Sequence, residues 1–225
     1  MSRRERMHEA TREEIKAVAS RQMAESGTAS LSLTAIARAM ELVPSALYRY
    51  FPDRDALITA LLLDAFEHLA EALREADASA PPTHYGERLI AAALVYRSWS
   101  LANPIAFQLV FGNPIPGYDA PLELTGPAMQ RVFGVFLGTI QEAHDAGKLR
   151  PVADFQAESL CLPQPGKSFG HYAPPVMYSG LAGWTVMHGV VTLELFGFLS
   201  HSMQDVEAFY RGRMGLYLAS MGLDT

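Results

Sequence analysis

The stretch LSLTAIARAMELVPSALYRYFPDRDAL, from Leu31 to Leu57, decides how this chain is read. Ile36, Ala37 and Met40 fall at i, i+1 and i+4, Leu47 and Phe51 fall at i and i+4, and Leu42 lies in the break between them. That spacing predicts two short helices, each with one apolar face. Ser32 is placed to cap the first. Pro44 can open the second, because proline has no N–H to lose at a first helical position. Pro52 closes the second, since its ring disfavours helix for the residue before it, and Asp53 caps a restart. Upstream, a helix from about Glu9 to Ser26 carries Ile15, Val18, Ala19 and Met23 on one face and meets its stop at Gly27. Three short helices can then share one core, with the small Ala37 allowing the second and third to approach. This leaves the start and outer face of the third exposed, as a helix-turn-helix requires for entering a major groove. A helical hairpin that only packs has the same periodicity.

The exposed residues favour the first alternative. Tyr48 and Tyr50 flank Arg49, and Ser32, Thr34 and Arg54 stand at the starts of the flanking helices. Hydroxyl and guanidinium donors therefore surround the third helix where phosphates would lie. Val43, Pro44, Ser45 and Ala46 would come closest to base edges, and they offer contacts to thymine methyls and single hydroxyl bonds. Arg49 is placed for either a guanine or a phosphate.

A net charge of −6 speaks against nucleic acid until its distribution is considered. Residues 1–60 hold nine basic and eight acidic side chains, which leaves nine basic and sixteen acidic for the rest of a chain with 18 and 24. An arginine-rich head thus precedes an acidic body.

Helical periodicity recurs along the whole chain and no alternating β-branched runs appear, so an all-α fold of about nine helices is expected. The fourth helix restarts at Asp53 with Leu57, Leu61, Phe66, Leu69 and Leu73. The fifth spans about Gly86 to Ala102, the sixth about Ile105 to Val110, and the seventh about Pro127 to a C-cap at Gly147. Lys148 to Pro175 is interrupted by Pro163, Pro165, Gly166 and Gly170, and is expected to be mobile. The eighth and ninth helices cover about Val176 to Ser200 and Asp205 to Met221.

The apolar run Leu181 to Leu199 approaches the length of a membrane span, but it contains His188 and Glu194. An acidic residue near a span's centre costs roughly 2.5–3.5 kcal/mol, so a buried or interface helix is expected instead. The single Cys161 cannot form an internal disulfide, and the N-terminus lacks the apolar core of a signal peptide, which together imply a cytoplasmic protein. No zinc, phosphate-loop or nucleophile-elbow spacing occurs, so neither catalysis nor a cofactor is expected.

The segments LTAIARAM and PSALYRYFPDRDAL resemble the TetR family of bacterial transcriptional regulators in their order of small, apolar, tyrosine and basic positions. The resemblance implies a helix-turn-helix DNA-binding domain over residues 1–55 and a helical ligand-binding and dimerisation domain over 56–225. It further implies that the third helix reads a double-stranded operator, that Tyr48, Tyr50 and the starts of the second and fourth helices hold phosphates, and that an unknown small-molecule effector controls a repressor. Two positions depart from the family pattern. Glu41 stands where a turn glycine is usual, implying either a turn without positive φ or strain, and Val43 stands where a serine or threonine usually caps the third helix.

A second resemblance lies in YRSWSLANPIAFQLVFGNPIPGYDAP with GWTVMHGVVTLELFG, which are similar to a TetR subgroup named for a Trp-His-Gly signature, here Trp184, His188 and Gly189. It implies a homodimer in which the last two helices form a four-helix bundle with a partner's. Gly180, Gly183, Gly189 and Gly197 would permit close approach, and Trp184, His188, Val191, Leu195 and Phe198 recur at helical spacing. The ninth helix adds Val206, Phe209, Tyr210, Met214 and Tyr217. On the resemblance, Tyr96, Trp99, Phe107, Phe111, Phe133, Phe136, Trp184 and His188 are candidates for an effector pocket, although each aromatic taken singly reads as core. The alternative reading is a helical small-molecule-binding protein without DNA recognition, in line with Glu41, Val43 and the acidic charge.

Overall fold

A computed structural model describes residues 2–150 and 169–224, and every regular element among them is helical. The order is α1 (Arg3–Ser26), a 3-10 turn (Thr28–Ser30), α2 (Leu33–Ala39), α3 (Pro44–Leu47), α4 (Arg54–Asp77), α5 (Tyr85–Ala102), α6 (Pro104–Phe111), α7 (Leu122–Asp145), α8 (Pro174–Leu195) and α9 (Val206–Ser220). Most of the expected mobile segment, including Cys161, Pro163, Pro165 and Gly166, lies outside the described residues.

The chain forms two compact units. One holds the residues up to Ala65 together with Asn103–Thr125, and the other holds Phe66–Ala102 and the residues from Gly126 onward. The expected division at 55/56 is therefore not where the compact units part. Residues 54–65 and 66–77 of the single helix α4 belong to different units.

In the first unit Ile15, Ala19, Met23, Ile36, Ala37, Leu47, Phe51, Leu57 and Ile58 are almost wholly buried in one cluster. These are the faces that periodicity selects. Ile115 joins the same cluster and Tyr118 packs on it, which is why 103–125 belongs here. Helix α1 begins at Arg3, six residues before the expected Glu9, because Ser2 and Glu5 form a reciprocal capping box. Lys16 Nζ bonds Asp64 at 2.5 Å and Glu13 at 2.6 Å, fixing α4 to α1.

The second unit is held by ionic clamps. Arg88, only 8% exposed, donates to both oxygens of Asp77 (3.1 and 2.8 Å), to the Pro82 carbonyl (2.9 Å) and to Glu142 (2.5 Å). Thr139 Oγ1 adds a bond to Asp77 at 2.8 Å. The C-terminal end of α4 is thus locked to α5 and α7. Arg97 grips Glu194 with two bonds of 2.8 and 2.6 Å, and Tyr96 shares a 2.8 Å bond with His188. His188 and Glu194, the polar residues that argue against a membrane span, are therefore each paired with α5, His188 with Tyr96 and Glu194 with Arg97. No helix among the described residues is long and apolar enough to cross a membrane.

Three helix ends follow one pattern. At Gly147, Gly197 and Gly222, φ is +66°, +76° and +79°, and the next residue's N–H reaches back five residues, as in Lys148 N to Ala143 O (2.9 Å). Gly197 thus stops α8 at Leu195, short of the expected Ser200, and Gly197 and Phe198 lie beyond the helix rather than on its face. Helix α7 starts at Leu122, with Thr125 Oγ1 bonding the Pro121 carbonyl (3.1 Å). Pro127, expected to open this helix, sits inside it at the loss of one backbone bond.

Candidate functional site

Two places among the described residues have the make-up of a site, an exposed surface on the first unit and a cavity in the second. The surface is built on α2 and α3. The Ser32 side chain caps α2 by accepting from Ala35 N, and Gln22 steadies the preceding turn by accepting from Ser32 N and donating to Ser30 O (both 3.3 Å). Helix α2 ends like the glycine-stopped helices, with Leu42 N reaching Ala37 O at 2.8 Å, but the left-handed position is occupied by Glu41 at φ +56°. Of the two alternatives, strain is the one realised, since a side chain in that region costs roughly 1–2 kcal/mol.

Helix α3 is one turn long rather than two. After Leu47 the backbone tightens to three-residue bonds, Arg49 N to Ala46 O and Tyr50 N to Leu47 O, before Pro52 ends the segment. Val43, at the cap, makes no side-chain bond to the helix. Thr34, Val43, Pro44, Ser45, Tyr48 and Arg49 are exposed, with Val43 at 65% and Tyr48 at 50%, while Leu47 beneath them is fully buried. Ala46 is half-buried.

Two residues grouped with them are engaged within the unit. The Tyr50 ring stacks on His8 at 4.6 Å, and its carbonyl accepts from Arg12, whose guanidinium lies 4.4 Å from the Phe51 ring. Arg54 donates from Nε to Leu31 O (3.2 Å), from Nη1 to Pro116 O (3.4 Å) and from Nη2 to Ala29 O (3.4 Å). It is a clamp joining the 3-10 turn and the start of α2 to the segment after α6. Carbonyl acceptors leave no mark in a sequence, so this role could not be read there.

The cavity occupies about 220 Å³ among α5, α7, α8 and α9. Phe133, Phe136 and Trp184 line it, as expected from their aromatic character. Tyr96, Trp99 and His188 do not line it. Tyr96 is fully buried and packs edge-on to Trp184 (5.4 Å), and His188 stacks on Trp184 at 4.8 Å. Phe107 and Phe111 belong to the first unit, where they pack on each other, because α6 starts afresh at Asn103-Pro104. Sequence reasoning missed the methionines. Met129, Met177, Met187, Met214 and Met221, half of the chain's ten, form much of the wall. Their concentration in the C-terminal half was the available signal. Burial holds the His188 imidazole below its ordinary value and pushes the Tyr96 hydroxyl far above its own. Both therefore stay neutral at neutral pH. No cluster of three potential metal ligands occurs among the described residues.

The apolar stripe of α8 also faces differently from expectation. Val191 is buried, Trp184 meets the cavity, and a side chain added at Gly180 or Gly183 would strike Leu137 or Tyr217 of the same chain. Those two glycines serve internal packing. The outward faces carry Leu181, Leu193 and Gly189 on α8 and Phe209, Gly212 and Leu216 on α9, with open space at both glycines.

Residues 15–61 match the family described as bacterial regulatory proteins, tetR family, and residues 89–215 match the tetracyclin repressor-like C-terminal domain. HTH-type transcriptional regulators Rv1816 of Mycobacterium tuberculosis and Mb1846 of Mycobacterium bovis are each 35% identical over 193 residues, covering 83% of this chain and 82% of theirs. The crystal structure of the regulatory protein SCO4313 superposes with a TM-score of 0.78 at 32% identity, over 97% of this chain and all of that one. A Rhodococcus sp. RHA1 protein of unknown function shares the fold, with a TM-score of 0.73 at 24% identity over 94% and 95% of the two chains. With both halves matched and the exposed α3 in place, the chain belongs to the TetR family of DNA-binding transcriptional regulators.

Proposed function

We propose that this regulator is a cytoplasmic homodimeric repressor without enzymatic activity, that α3 reads a palindromic operator, and that an effector in the second unit releases it. The carrying observation is the exposure of Val43, Pro44, Ser45, Tyr48 and Arg49 over a filled core. Val43, Pro44, Ser45 and Ala46 lie nearest the bases. Thr34, Tyr48 and the α2 start at Ser32 take phosphates, as Tyr50 does through its hydroxyl while its ring rests on His8. Arg49 reads a base or a phosphate, and Arg54 acts mainly by holding the unit together.

Dimerisation uses the outward faces of α8 and α9, which expose Leu181, Leu193, Phe209 and Leu216. An effector can act only through different affinities for arrangements of the two heads that fit DNA and arrangements that do not. The helix shared by both units, α4, is the continuous element through which the two can be linked.

The test is Gly189→Arg, a bulky charge introduced into open space on the proposed interface. It should sediment as a monomer and lose most operator affinity, because a single head engages one half-site. Wild-type protein that sediments as a monomer at micromolar concentration yet binds its palindrome tightly would refute the scheme.

A further inference from the structure

We propose that the cavity of the second unit takes a small, uncharged, predominantly hydrocarbon molecule about the size of a substituted single ring or an eight-carbon chain. The inference rests on the effector reading above and gives it a chemical class. Size comes first. An apolar cavity of roughly 150 Å³ stays dry and accepts benzene, so about 220 Å³ leaves room for a ring with substituents or a folded short chain.

The walls decide polarity. Met129, Met177, Met187, Met214 and Met221 present thioethers and methylenes, and Phe133 and Trp184 present ring faces and edges. None of the described lining side chains carries a charge at neutral pH. The Tyr217 hydroxyl is committed to the Ser179 carbonyl. Other polar groups on these helices are paired elsewhere, Arg97 with Glu194 and Glu207, and His188 with Tyr96. A charged ligand would be stripped of water with no counter-charge among the described lining residues to replace it. Methionines also adapt to shape, because they are unbranched, flexible and polarizable. The cavity should therefore tolerate isomers of similar volume while rejecting charge.

Three probes share one chain length and differ in charge at neutral pH: 1-octanol, octanoate and octylammonium. The full chain carrying Trp99→Phe retains Trp184 as its single tryptophan, so emission reports on the cavity. Saturable change with 1-octanol is expected, and binding of both ions should be weaker by about 100-fold or more, the least that an unpaired buried charge implies. Met129→Phe and Met214→Phe narrow the cavity from different helices, and whichever retains the melting temperature of its parent should bind 1-octanol more weakly. Equal binding of an ion, no binding of any probe, or full affinity in the narrowed protein each overturns the proposal. Binding to duplex DNA is measured on the same samples. Intact DNA binding with failed probe binding rejects the ligand class and leaves the regulator reading standing.

Discussion

Tyr48 stands exposed at the surface of a closed core in the first unit, whereas Tyr96 and Tyr210 in the second are wholly buried, with Tyr210 donating to the Ala93 carbonyl at 2.7 Å. The first unit fills its interior with Ile15, Ile36, Leu47 and Phe51 and presents the Tyr48 ring outward. The second arranges Phe133, Phe136 and Trp184 around space that nothing among the described residues fills. Unfilled apolar volume weakens a core, by roughly 24 cal/mol per Å³ in one measured series. The comparison teaches that the two units need different supports. A closed core can hold a one-turn reading helix still, while a hollow bundle depends on Arg88–Asp77 and Arg97–Glu194.

The strongest way to break this contrast is Arg88→Ala. It leaves Asp77, whose side chain is 18% exposed, without its guanidinium, and breaking such a pair costs about 3–5 kcal/mol. Denaturant unfolding followed by Trp99 and Trp184, which both belong to the second unit, should show that loss. An unchanged midpoint would mean that the ionic clamp does not support the hollow unit. Next in size is Arg54→Ala, which removes three bonds to carbonyls and should cost the first unit about 1.5–3 kcal/mol. Hydrogen exchange at α2 should rise. If stability is unaltered and only the salt slope of DNA binding falls, Arg54 is a phosphate contact after all.

Arg49→Ala should leave stability unchanged and relax preference at one base position, by about 1–3 kcal/mol if the contact is bidentate. A uniform loss across sequences moves Arg49 to the phosphate class. Glu41→Gly should stabilise the first unit by about 0.5–1 kcal/mol, because glycine relieves the left-handed strain but brings its own loss of chain entropy. A melting temperature that falls would remove the strain argument.

The smallest effect concerns pH. Burial holds His188 below its ordinary 6.5, so the unfolded chain takes up the proton first. Its contribution is complete above that value and is lost as pH falls below it toward the folded-state value. Stability between pH 7 and 5 should therefore decline, and His188→Gln should reduce the slope. An identical slope in the variant would place the titration elsewhere.

Much of the first unit was legible because its determinants are local. The α1 face, the Ser32 cap, Pro44 and the buried Ala37 each follow from spacing within a few residues. The same kind of signal stands at Ser2 and Glu5, whose S-x-x-E spacing marks the true start of α1. The cavity was only partly legible, since its wall is assembled from four helices and no local pattern says which aromatic meets empty space. Helix α8 is apolar on nearly every face, so spacing alone could not separate its inward stripe from the outward one. The Arg54 bonds to Leu31, Pro116 and Ala29 leave no trace in the sequence because their acceptors are backbone carbonyls brought together only by folding.

The central claim is that α3 reads a DNA sequence, and selection of bound duplexes from a random pool, followed by affinity measurement of the winner against an unselected duplex, tests it most directly. The account predicts a two-fold symmetric sequence with half-sites one helical turn or a multiple apart, bound at least about 10³-fold more tightly than the unselected duplex at physiological salt. A pool that shows no enrichment, or a winner bound no better than random DNA, would contradict it.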